Sequence, residues 1–266
     1  MIKEQKSLAV IIDADNSQPS IIEGLMEEIA KYGVASVKRI YGDWTDTRLK
    51  GWKSHLLGHG IQPMQQFGYT VGKNSTDSAM IIDAMDLLYT DKLDGFCIVS
   101  SDSDFTRLAL RIRESGLSVY GFGEKKTPKS FLAACDKFIY TENLRKESVK
   151  APSRKRPLKK SVSKDILQDA TPDAAPDVTQ DEFLIKIMKN VVEDTADDSG
   201  WSYLTHIRQT IANRHPDFDP RNYGYTNMID LIRKLDIFEF KKDDPFSHDK
   251  AIFIRCKRKR HYEDKK

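Results

Sequence analysis

The sequence predicts an α/β fold: a parallel sheet with helices on both faces, followed by a small winged-helix-like domain. Three observations predict it. Apolar strand-like runs alternate with helical periodicities over residues 1–144, the order of a parallel sheet whose crossovers are helices. Residues 145–180 lose that periodicity and are punctuated by Pro152, Pro157, Pro172 and Pro176. Such a segment buries too little apolar surface to offset its ordering entropy, and it reads as a disordered linker, basic and then acidic. Over residues 181–256 three helix patterns precede two alternating runs, the order of a winged helix. A basic tail, 257–266, ends the chain. With 266 residues, 39% hydrophobic and 31% charged, the chain suits two ordinary domains. That composition excludes collagen-like, mucin-like and wholly disordered proteins.

The elements follow in order. Leu8 to Ile12 form a short apolar run that ends at acidic residues. Pro19 opens a helix with Ile21, Ile22, Leu25, Met26 and Ile29 on one face. SVKRIY is a second strand. A helix through Leu49, Trp52, Leu56 and Leu57 ends at Gly58 or Gly60. IQPMQQF is a weaker third strand. Residues 76–90 read as a helix with Ala79, Ile82, Met85, Leu88 and Tyr89 inward. FCIVS has the make-up of a central strand, and FTRLALRIRES is helical. SVYGFG and KFIY are later strands, with a short helix near Phe131 and Leu132 between them. In the second domain Phe183, Leu184, Ile187, Met188, Val191 and Val192 mark one helix. Leu204, Ile207 and Ile211 mark the next, and Met228, Ile229, Leu231, Ile232 and Leu235 a third. IFEF and AIFIR then form a hairpin around a polar loop with Asp243, Asp244 and Pro245.

Several function classes drop out. No run of 18 or more apolar residues exists, so no membrane helix is expected. The N-terminus shows no secretory pattern, and a cytoplasmic protein is expected. Cys97, Cys135 and Cys256 lie far apart without CxxC spacing, against a disulfide framework or a thiolate zinc site. Among six histidines only His55 and His59 share an i, i+4 spacing, and no HExxH glutamate lies between them. Gly121-Phe122-Gly123 lacks the third glycine of a dinucleotide fingerprint. The net charge of +3 is uneven: residues 145–164 carry +8 and residues 255–266 carry +5, whereas 1–144 carry −2 and 181–254 carry −4. Short basic segments attract polyanions by counterion release, or else serve as a solubilising linker and tail.

Acidic residues collect at one rim of the expected sheet. Asp13, Asp15 and Asn16 follow the first strand, Asp43 the second, and Asp102 and Asp104 the FCIVS strand. Asp77 opens the helix that leads into FCIVS, on the same rim. Ligands of parallel sheets bind beyond the carboxyl ends of the strands. Clustered carboxylates repel unless a cation fills them, and hard oxygens without His or Cys suit Mg²⁺ or Mn²⁺. Each residue also has a purely structural reading. Asp102 or Asp104 fits a helix cap, Asp77 a helix-dipole position, and Asp43 and Asp46 turns. Asp83 lies off the face of Asp77 and reads as a hydrogen-bonding residue rather than a ligand. Asp13-Ala-Asp15 also fits the DxD of haloacid-dehalogenase-type phosphatases, but that family's remaining motifs have no match here.

VIIDADN, KNSTDSAMIIDAM and VSSDSDF, in that order, resemble the three motifs of NYN domains, which are PIN-like nucleases. The resemblance covers roughly residues 7–143. It implies a Rossmann-like (PIN-like) sheet and a Mg²⁺- or Mn²⁺-dependent ribonuclease. Asp13 matches the family's first-strand Asp, Asn16 its accompanying polar residue, Asp77 the helix-start Asp, and Asp102 and Asp104 the SxDxDF pair. By this resemblance Asp13, Asp77, Asp102 and Asp104 hold metal, with Asn16 beside them. Lys73 is a candidate phosphate contact, and Trp44, Trp52 and Tyr69 are candidates to stack bases. GWSYLTHIRQTI, PDFDPRNYGYTNMIDLIRKL and FEF resemble the LOTUS, or OST-HTH, domain over roughly 180–256. That domain implies RNA or a protein partner. Its negative charge is unusual for a nucleic-acid reader, so RNA contact falls to a local patch with Arg208 and Arg221 or to the linker with Lys155 and Arg156. The rival reading is a non-catalytic RNA-binding scaffold.

Overall fold

The computed structural model describes residues 5–67, 75–144, 178–242 and 251–257. Strand β1 (Ser7–Asp13) is buried along all but its first residue, as a strand covered on both faces must be. It sits at the centre of six parallel strands: β2 (Val34–Gly42), β3 (Gln62–Gln65), β4 (Gly95–Val99), β5 (Ser118–Gly123) and β6 (Lys137–Tyr140) complete the sheet. Their order is β3-β2-β1-β4-β5-β6, the doubly wound arrangement, with its direction reversing between β1 and β4.

The crossovers are α1 (Ile22–Ile29), α2 (Lys50–His59), α3 (Ser75–Leu88), α4 (Thr106–Glu114) and α5 (Lys129–Ala134). The period-two alternation of β1 divides the interior into two cores. Leu8, Val10 and Ile12 pack with Ile22, Leu25 and Trp52 on the side of α1 and α2. Ala9 and Ile11 pack with Met80, Ala84, Leu108 and Ile112 on the side of α3 and α4.

The inward face of α3 differs from the one its periodicity predicts. Met80, Ala84, Leu87 and Leu88 are buried, whereas Ile82 and Tyr89 are 64% and 67% exposed. Apolar residues occur on both sides of this helix, so spacing alone does not fix its rotation. Two acidic residues fix it: Asp77 turns to the sheet rim, and Asp83 accepts hydrogen bonds from Arg39 and Tyr41 of β2. Asp83 is thus a hydrogen-bonding residue, as its position suggested.

The second unit begins at Val178, which is buried in that unit's own core. Helix α6 (Glu182–Asp194) is capped by Asp181, whose Oδ1 accepts from the Leu184 amide at 2.9 Å. Strand β7 (Ser202–Tyr203), α7 (Leu204–Arg214), α8 (Met228–Leu235), β8 (Phe238–Lys242) and β9 (Ile252–Cys256) follow. The antiparallel order β7-β9-β8 completes a winged helix. Strand β7 is two residues long and gives no pattern to read. Phe183, placed inward by its spacing, is 66% exposed. The hairpin's polar loop, with Asp243, Asp244 and Pro245, lies outside the described residues.

The two units touch along the free edge of β6. The Phe138 amide donates to the Pro216 carbonyl at 2.9 Å, and the Tyr140 hydroxyl donates to Asp217 at 3.1 Å. Asn143 donates to Asn222 at 2.7 Å, and Arg221 reaches Glu28 at 2.9 Å.

Candidate active site

The site lies at the switch point, beyond the carboxyl ends of β1 and β4. Asp13 ends β1 and is fully buried. Its Oδ1 accepts from the Asp15 and Asn16 amides at 3.0 and 3.2 Å. Its Oδ2 accepts from Asn16 Nδ2 at 2.8 Å and Ser100 Oγ at 2.9 Å. Burial pushes the carboxyl up from its ordinary range, and these hydrogen bonds oppose that push.

Ser100, 1% exposed, also accepts from the Asp102 amide through its hydroxyl oxygen at 3.1 Å. This one hydroxyl therefore ties the end of β1 to the loop after β4. Asp102 caps the short turn Ser103–Phe105, its Oδ1 accepting from the Asp104 amide at 2.9 Å. Asp77 lies in the first turn of α3, where the helix dipole favours an anion. Asp102 is thus a cap, and that role coexists with its place beside Asp77 and Asp104.

Asp77, Asp102 and Asp104 bring one carboxylate oxygen each within 4.8 Å of the others. Asp77 is pushed up to about 6, first by burial and then by the charges of Asp13, Asp102, Asp104 and Asp15. The donor set is all hard oxygen and carries excess negative charge, which fits Mg²⁺ or Mn²⁺. Asp13 is not one of the three, and its two oxygens accept four hydrogen bonds. Its charge is nonetheless the largest acting on Asp77.

Residues 7–144 match the NYN domain model, and residues 179–248 match the OST-HTH/LOTUS domain model. The chain belongs to the NYN domain family. No curated protein matches its sequence. Among solved structures it is similar to a protein of unknown function from Vibrio parahaemolyticus. That match has 18% identity and a TM-score of 0.45, and covers 53% of this chain and 95% of the other. It is also similar to an uncharacterised protein from Nitrosomonas europaea, at 28% identity and a TM-score of 0.29, covering 40% of this chain and 97% of the other.

Within this NYN domain, Asn16 is the side chain that anchors Asp13. Asp43 lies off the site: its Oδ1 accepts from the Thr45 amide and hydroxyl and from Gln65, holding the turn after β2. Trp52 is buried in the core, and Trp44 donates its indole N–H to the Met64 carbonyl at 3.0 Å. Lys73, Tyr69, Lys155 and Arg156 lie outside the described residues. In the LOTUS domain Arg208 is exposed on α7. Arg221 is not an open phosphate contact: its guanidinium is held by Asp219 and Glu28 between the domains. Sequence reasoning missed Ser100. The only signal was its position as the first residue past β4, where a hydroxyl satisfies a buried carboxylate.

Proposed function

We propose that this NYN protein is a metal-dependent ribonuclease that hydrolyses RNA phosphodiester bonds and acts in the cytoplasm. One observation carries the reading: Asp77, Asp102 and Asp104 converge within 4.8 Å at the switch point of the sheet. These three residues hold the cation, and Asp13, positioned by Asn16 and Ser100, adds negative charge behind them. Bound there, Mg²⁺ or Mn²⁺ supplies a Lewis acid for the phosphodiester and an acidified water. Lys73, Lys155, Arg156 and Arg208 serve RNA phosphates, and the LOTUS domain recruits RNA or a protein partner. No described helix is long and apolar enough to cross a membrane.

The test compares wild type with Asp77→Asn/Asp102→Asn on labelled single-stranded and structured RNA, with Mg²⁺, Mn²⁺ or EDTA. Metal-dependent cleavage in wild type alone is expected. Equal RNA binding without cleavage by either protein would make the chain a non-catalytic scaffold. Deleting residues 145–164, which carry +8, is expected to weaken RNA binding and flatten its salt dependence. An unchanged slope would remove the linker from the interface.

A further inference from the structure

We propose that the cleft between the two domains is a track for single-stranded RNA leading to the acidic site. The cleft encloses about 400 Å³ on the carboxyl-end side of the sheet. Its NYN wall carries Lys125 and Lys129, from the loop after β5 and the start of α5, and Tyr140 of β6. Its LOTUS wall carries Phe183 of α6, Arg214 at the end of α7, and Tyr223.

The wall is joined directly to the site. The Glu124 amide, next to Lys125, donates to Ser101 Oγ at 2.8 Å, and Ser101 is next to Asp102. The cleft wall and the acidic site are thus built on adjoining backbone segments.

The lining has the two features that hold single strands: cations for the backbone and flat apolar faces for the bases. Lys125 and Lys129 are exposed and have no ion-pair partner among the described residues. Arg214 pairs with Asp194, but both side chains are about half exposed, and pairs of that kind are weak. The acidic residue of the lining, Asp217, is already engaged by the Tyr140 hydroxyl. Phe183 is the most telling member. Its ring meets His215 edge to face at 6.3 Å yet is 66% exposed, which leaves a face open for a stacking base. The unpaired cations of the cleft thus come from the NYN wall, so RNA contact there does not require a basic LOTUS domain. A duplex hides its base faces, so the lining selects single strands.

The inference rests on the nuclease reading only for the track's destination, so binding is measured in EDTA. The probe is a labelled oligouridine of about 16 nucleotides. Lys125→Gln/Lys129→Gln is expected to weaken binding about tenfold and to make the salt slope shallower by about 1.4. Phe183→Ala is expected to weaken binding about tenfold, and Phe183→Tyr to retain it. All three positions are exposed, so the fold survives, and a thermal melt checks that it does. Affinities within twofold of wild type in both weakening variants would overturn the track, as would an equal loss on a duplex of the same length. Cleft-dependent binding with no cleavage under any metal would sink the nuclease reading and leave the track standing.

Discussion

Asp77 is held where its charge is unfavourable. A carboxyl raised to about 6 in the folded protein ionises more readily when unfolded. Its effect on stability is therefore absent below its ordinary pKa, grows as pH rises toward 6, and is fully destabilising above that. Asp77→Asn in EDTA is expected to gain on the order of 1–3 kcal/mol at pH 7.5 and little at pH 4. The same variant is expected to lose RNA cleavage. Melting curves at the two pH values check the first part. An equal Tm gain at both would mean that repulsion is not what Asn relieves. Asp13, Asp77, Asp102 and Asp104 were legible in the sequence because strand ends and a helix start place them on one rim. That Asn16 and Ser100 hydrogen-bond the Asp13 carboxylate was not legible, because no spacing encodes side-chain direction.

Helix rotation was the weak point of the sequence reading. In α1 the apolar stripe is one-sided, and Ile22, Leu25 and Ile29 are buried as their spacing predicts. In α3 and at the start of α6, apolar residues fall on two sides, and tertiary contacts choose between them. A glycine in α1 shows how such contacts override local preference. Ala is favoured over Gly in a helix interior by about 1 kcal/mol. A Cβ at Gly24, however, would lie 2.1 Å from the Leu144 carbonyl oxygen. That oxygen belongs to the backbone turn Thr141–Leu144, which packs against α1 and cannot swing aside as a side chain would. Gly24→Ala is therefore expected to destabilise the NYN domain by about 1–3 kcal/mol, opposite in sign to its helix propensity. Urea unfolding gives the sign directly, and a stabilised variant would mean that the turn moves away freely.

At the scale of the whole molecule, two domains are legible in the sequence but their docking is not. The docking contacts join residues up to 193 positions apart, a separation over which no local spacing acts. Glu28 accepts one of them, from Arg221. It is 4% exposed, and burial alone would raise its carboxyl. Hydrogen bonds from Lys31, Arg221 and Tyr32 outweigh that and hold it at about 2. A depressed carboxyl stabilises above its ordinary pKa, and that stability is lost as pH falls from about 4.5 toward 2. Acid in that window is expected to loosen the domains before the β4 core unfolds. Arg221→Ala removes the cross-domain partner at neutral pH. Because Lys31 and Tyr32 remain, its expected effect is about 2 kcal/mol rather than the full loss of a buried pair. The Phe138 amide, bonded to the Pro216 carbonyl across the interface, reports the result. Its hydrogen exchange is expected to quicken on the order of 30-fold in Arg221→Ala, while amides of β4 stay protected. Equal exchange of Phe138 in the two proteins would mean that the Phe138–Pro216 backbone bond, the Tyr140–Asp217 bond and the Asn143–Asn222 pair hold the domains without Arg221. A loosened interface would also open one wall of the cleft, so Arg221→Ala is expected to weaken single-stranded RNA binding although Arg221 itself faces Glu28 and Asp219.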